Sequence, residues 1–162
     1  MPREPPETEG IVLALVARCG RRPEPRLYRA VMAISFNAET LRLLAGRNYA
    51  VLATVNPDGS PHTSAMWLAL DGDDLLFSTV EGRVKHHNML RDPRVSVTVW
   101  DSADPEISVD LRGRVSMTPD PGRLLHIQLS HKYDGTDPGQ DAAGARRVIV
   151  RMAVEKVAGH AA

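Results

Sequence analysis

Apolar and polar positions settle into a readable pattern at Asn37. Leu41 and Leu44 recur at helical spacing behind this capping asparagine and Gly46 stops the run. A short helix is therefore expected from Asn37 through Ala45, with those two leucines inward. Tyr49–Val55 is rich in strand formers and ends in Asn56-Pro57-Asp58-Gly59, a tight-turn sequence in which Gly59 takes positive φ. The return strand spans Pro61–Leu70, placing Met66, Leu68 and Leu70 on one face and Thr63, Ala65 and Trp67 on the other. A third strand, Leu75–Thr79, follows the turn Asp71-Gly72-Asp73-Asp74.

After Glu81-Gly82 a short helix is expected from about Arg83 to Arg91, ending before Asp92-Pro93. Val95, Val97 and Val99 then alternate along a fourth strand. Ile107, Val109, Leu111, Val115 and Met117 share one face of a fifth. A helix over Gly122–Lys132 and a Gly- and Asp-rich loop lead to a sixth, marked by Val148, Val150, Met152 and Val154. Six strands with short turns and a few helices define a mainly β, α+β chain. Its simplest architecture is a six-stranded antiparallel barrel, because closing the sheet removes exposed edges.

Residues 1–31 break this pattern, with Pro2, Pro5, Pro6, Pro23 and Pro25 set among charges and no sustained period. They read as a disordered extension, with Met32 opening the domain proper (32–162). A misassigned upstream start and a regulatory tail explain the extension equally well. At 162 residues the chain supports a single core and hence one principal site.

Charge narrows the function. Acids and bases balance at 20 each, so no bulk field draws the protein to nucleic acid or to a membrane surface, and an anion must be met by a local cluster. The longest apolar run, Ile11–Ala17, falls far short of the roughly 20 residues of a membrane span. Glu4, Glu7 and Glu9 stand where a secretory signal carries positive charge. The lone Cys19 forms no internal disulfide, and a reducing, cytoplasmic setting fits. Arginine is strongly preferred over lysine, which occurs only at positions 85, 132 and 156, and alanine is frequent, a GC-rich usage that points toward an actinobacterial source.

The segment with most chemical content is Phe77-Ser78-Thr79-Val80-Glu81-Gly82-Arg83-Val84-Lys85-His86-His87-Asn88. A strand ends in hydroxyls, bends at glycine and enters a helix with two bases in its first turn. Free N–H groups and the positive end of the helix dipole favour an anion there, and Arg83 and Lys85 add charge-assisted donors. A phosphate site is one reading. Solvated bases, or bases paired with Glu81, are the other. On the second strand, Thr63 or Ser64 can reach the same ligand as Ser78 and Thr79 if the strands lie side by side, and a rim strand with solvent-facing hydroxyls is the alternative. Trp67 and Trp100 read as packing or interface residues. His86 and His87 are adjacent, and His126 and His131 are five apart, so no histidine pair has one-face metal spacing and no metal is expected. Hydrolase, kinase and dinucleotide-fold motifs are absent from the sequence.

Four short segments in fixed order resemble a known family: Ala50–Val55 with Asp58-Gly59-Ser60-Pro61, Gly82-Arg83-Val84-Lys85 with Asn88, Arg91-Asp92-Pro93-Arg94-Val95, and Leu111-Arg112-Gly113-Arg114-Val115. Together they span about Leu41 to Val157. The chain is similar to the pyridoxamine 5'-phosphate oxidase-like split β-barrel proteins, and more closely to their branch of reductases that use the deazaflavin coenzyme F420. The resemblance implies an FMN-binding-like split barrel in which Arg83 and Lys85 bind the cofactor phosphate, with Ser78, Thr79, Val84 and Asn88 lining that end. His62, Thr63 and Ser64 would line the ring and side-chain region, and Arg147 is a further cofactor contact. It also implies a homodimer with cofactor sites at the interface.

The implied activity is hydride transfer from reduced F420 to a small unsaturated or conjugated substrate, with no protein group required as acid or base. Solvent or a side chain such as His62 or Tyr133 is the candidate proton source, and no catalytic residue is assigned. FMN in the same fold, and a flavin- or haem-binding module without turnover, are the alternatives. The chain lacks the length and C-terminal portion of a true pyridoxamine phosphate oxidase, which argues against vitamin B6 oxidation. The loops Asp101–Glu106 and Asp134–Asp141 are expected to shape the substrate pocket.

Overall fold

A computed structural model describes residues 34–162, and the proposed extension 1–31 lies outside the described residues. Helix α1, Ala38–Ala45, begins where the Asn37 side chain accepts from the Thr40 N–H at 2.8 Å and ends at Gly46. Its buried leucines are Leu43 and Leu44, whereas Leu41, expected inside, is 41 % exposed. One eight-residue helix resting on strands through a narrow face turns adjacent positions 43 and 44 inward, and spacing alone does not fix that angle.

Seven strands follow, one more than expected: β1 Ala50–Val55, β2 Pro61–Met66, β3 Ala69–Asp71, β4 Asp74–Val80, β5 Arg94–Trp100, β6 Ser108–Pro119 and β7 Arg147–Ala158. Helix α2, Val84–Arg91, follows β4, and α3, Leu124–Tyr133, follows β6. Every pairing is antiparallel, in the order β2-β1-β5-β6-β7-β4-β3. The segment Pro61–Leu70, expected as one strand, is divided at Trp67-Leu68. Its first half pairs with β1 and its second with β4, at opposite ends of the strand order. Two residues thus bridge the two edges of the sheet, and the sheet curls into a barrel that hydrogen bonds do not close: a split barrel.

Outside any ladder, the Leu68 backbone must find other partners. Its N–H donates to the Tyr133 hydroxyl at 3.3 Å, and its carbonyl accepts from Lys132 Nζ at 3.1 Å. Lys132 also donates to Leu44 O at 3.0 Å, and the Tyr133 hydroxyl donates to Asn48 O at 2.8 Å, so α3 fastens the crossover to the end of α1. Burial lowers the Lys132 ammonium to about 8 and raises the Tyr133 phenol. Trp67 lies between Tyr133 and His126, with centroids 5.4 and 6.3 Å away, and packs as the sequence suggested.

Pleating sorts side chains into two faces. Leu52, Phe77, Val97, Val99, Val109, Leu111, Val150 and Met152 fill the barrel interior. Leu76, Leu125, Leu129 and Tyr133 form a second cluster outside it, under α3. No described helix is long and apolar enough to cross a membrane.

β6 and β7 are joined by the longest ladder, with a register shift at Arg112/Gly113. A side chain at Gly113 would place Cβ 2.0 Å from the Ala153 carbonyl oxygen, so the backbones touch where only glycine fits. Gly113→Ala is expected to destabilise the fold by about 2 kcal/mol or more, read as a lower urea midpoint.

Candidate functional site

The turn between β4 and α2 is set by Gly82, at φ 86°, a left-handed conformation that leads the chain into the helix. Arg83 is the extended N-cap residue, but no side chain caps α2 and no acid lies in its first turn. His86 Nδ1 instead accepts the Gly82 N–H at 3.2 Å. An uncapped N-terminus carrying Arg83 and Lys85 and no acid concentrates positive charge.

Lys85, Asn88 and Met89 form the buried side of α2. Asn88 anchors it, its Nδ2 donating to Thr54 Oγ1 at 3.1 Å and to Asn56 Oδ1 at 2.9 Å. Arg91 adds a hydrogen bond to the Val55 carbonyl. Through these contacts α2 lies against β1 although it follows β4, at the far side of the strand order. Lys85 is only 8 % exposed, yet no hydrogen bond or ion pair holds its ammonium among the described residues. Burial, with the nearby Arg83 charge, pulls it below the ordinary lysine range. Thr79 Oγ1 and Ser64 Oγ also lack a hydrogen-bond partner and, unlike the Lys85 ammonium, are fully enclosed. A cation on a largely buried stem and two orphaned hydroxyls suit an oxygen-rich anionic group.

The register decides which candidates share a side. Ser64 pairs with Leu52, His62 with Thr54, and Thr79 with Val148, so all three face inward. Thr63 pairs with Ala53 and Ser78 with Ile149, facing outward. Arg147 pairs with Val80, also outward, and its Nη1 donates to Ser78 Oγ at 3.3 Å. Arg147 is further engaged with Asp141, Nη2 to Oδ1 at 2.5 Å and Nε to Oδ2 at 2.7 Å. His62, Ser64, Thr79, Lys85 and Asn88 thus share the inward side, Arg83 and the 54 % exposed Val84 lie at its rim, and Thr63, Ser78 and Arg147 occupy the other surface. The hydroxyl of Tyr133 is committed to Asn48 and Leu68, which leaves it no free role as a proton donor. Among the described residues no group of three or more His, Cys, Asp or Glu side chains is arranged to hold a metal.

Thr54 and Asn56 escaped the reading of the sequence. The available signal was a threonine at an inward position of an otherwise apolar strand, which demands a polar partner inside.

Barrel and crossover together define a split β-barrel. A family model described as pyridoxamine 5'-phosphate oxidase matches residues 36–161, and the chain belongs to that family. A solved structure named F420 reductase is 35 % identical, with TM-score 0.68, over 73 % of this chain and 94 % of that one. A conserved hypothetical protein, Rv2991 from Mycobacterium tuberculosis, is 27 % identical over 80 % of this chain and 86 % of its own, with TM-score 0.61. A putative pyridoxamine 5'-phosphate oxidase from Listeria innocua, at 20 % identity, 70 % of this chain, 89 % of its own and TM-score 0.55, shares the fold.

Asn88→Ala removes two donors and strands Thr54 and Asn56. It is expected to cost about 2 kcal/mol in urea unfolding and to speed amide exchange in α2 while the barrel strands stay protected.

Proposed function

We propose that the protein is a reductase dependent on coenzyme F420, in which the first turn of α2 binds the cofactor phosphate. The observation that carries this reading is Lys85, a largely buried residue in the first turn of the uncapped α2 whose ammonium has no hydrogen bond or ion pair among the described residues. The 35 % identity to a protein named F420 reductase, across nearly all of that chain, supports deazaflavin over flavin. Arg83 and Lys85 supply charge, the α2 N–H groups supply donors, and Thr79, Val84 and Asn88 line the phosphate end. His62 and Ser64 border the ring and side chain, and Thr63, on the outward face of β2, does not share that side. Ser78 and Arg147, tied to Asp141, stand apart as a second cluster.

When bound, the reduced deazaflavin supplies a hydride to a small unsaturated or conjugated acceptor. The residues of this chain bind and orient the cofactor and keep water from it, and none needs to act as acid or base. The match to the pyridoxamine 5'-phosphate oxidase model favours FMN as the second reading, because both cofactors present a phosphate. A homodimer is part of the proposal. Half-buried Val51 and Ala53 and exposed Ala65 line the outward face of β1 and β2, and this small-residue surface suits a second copy.

Parallel fluorescence titrations with F420 and FMN test the cofactor, and the expected result is tighter binding of F420, with oxidation of its reduced form when an acceptor is added. Retention of neither cofactor at micromolar protein overturns the reading. Lys85→Met gives a sharper outcome. Removing a partly desolvated cation should leave ligand-free stability unchanged or slightly higher, while cofactor affinity falls about 10- to 100-fold. A lysine serving only the fold would instead lose stability on substitution.

A further inference from the structure

A cavity of about 520 Å³ opens on the outward surface, between the ends of β4 and β7, the start of α3 and the loop 134–146. Its charged lining converges on one carboxylate. Arg147, whose side chain is 12 % exposed, forks onto both oxygens of Asp141 at 2.5 and 2.7 Å. Arg123 brings its Nε to 3.2 Å from Asp141 Oδ2, but off the direction of a hydrogen bond, so this buried N–H has no acceptor. Asp141 is correspondingly held below the usual carboxylate range, chiefly by Arg147.

The neighbouring acids are engaged elsewhere. Asp120 accepts the N–H groups of Leu124 and Leu125, and Glu81 pairs with Arg146 at 2.6 Å. Two guanidiniums therefore share the single carboxylate of Asp141 beside an open volume of small-molecule size. Asp141 itself arrives on a segment without regular structure, in which Gly135 and Gly144 take positive φ. Planar guanidiniums match a carboxylate in two dimensions, and Asp141 already displays the fit.

We propose that Arg123 and Arg147 form a binding site for a small organic carboxylate lodged in this cavity, with Asp141 as the tethered carboxylate that occupies the seat until the ligand displaces it. Exchange of one carboxylate for another leaves Arg147 with a counter-ion throughout, so displacement costs the contacts that hold the loop at Asp141 and the immobilisation of the ligand. A short tether presents Asp141 at an effective concentration on the order of millimolar, which weakens the free ligand by competition. The site is independent of the cofactor reading, since it lies on the opposite face of β4 from Thr79.

Succinate is the probe, with succinamide as its neutral counterpart, and the readout is the arginine Nε–Hε resonances in proton–nitrogen correlation spectra. Succinate should shift the Arg123 and Arg147 signals and bind about tenfold more tightly to Asp141→Asn than to the native chain, while succinamide shifts neither. Asp141→Ser repeats the comparison if Asp141→Asn misfolds, as judged by circular dichroism. Equal succinate affinity in the native chain and the Asp141 variant, absence of any shift in both, or undiminished binding in Arg123→Gln overturns the site. F420 titration of the same variant should be unchanged, which separates failure of this site from failure of the cofactor proposal.

Discussion

The two-residue passage Trp67-Leu68 is the constraint on which the architecture turns. It makes the first and last strands of the sheet consecutive in the chain, so the sheet has to curl until its edges meet. Leu68 crosses that gap fully buried and outside every ladder, a position its backbone tolerates only because Lys132 and Tyr133 supply a donor and an acceptor. The same two side chains reach Leu44 and Asn48, and so the crossover, α1 and α3 are set together. An opening remains between the edges, and α2 spans it with Asn88 fastened to β1.

Most elements were legible because their signals are local. The Asn37 cap, the glycine bend at position 82 and the alternation of Val95, Val97 and Val99 each fix a structure within a few residues. The crossover was not legible, since no Gly, Asn, Asp or further Pro interrupts the segment after Pro61 and the change of partner after Met66 depends on β4, which lies later in the chain. Leu41 and Leu43 were exchanged for a similar reason: helical spacing gives a stripe, and the neighbouring strands choose its angle.

The candidate site shows the same limit. Arg83, Lys85 and Asn88 could be picked out because they lie on one helical turn after a glycine. Their division from Ser78 and Arg147 could not, because adjacent residues Ser78 and Thr79 point to opposite faces and only the cross-strand register says which face holds what. Arg123 and Asp141, separated by a helix and a loop, carry no sequence signal of their convergence.

Lys85 also bears on how the molecule breathes. A partly desolvated ammonium with no counter-ion among the described residues gains hydration when the first turn of α2 parts from the strands, so the ligand-free fold gains part of that energy by opening locally. Asn88, one turn further along, holds the helix to β1 and confines that opening to the first turn of α2. The segment between Gly82 and Asn88 is therefore hinged at one end by glycine and pinned at the other by an amide. An anion settling there would cancel the incentive to open, and the order of this turn would follow the occupancy of the site.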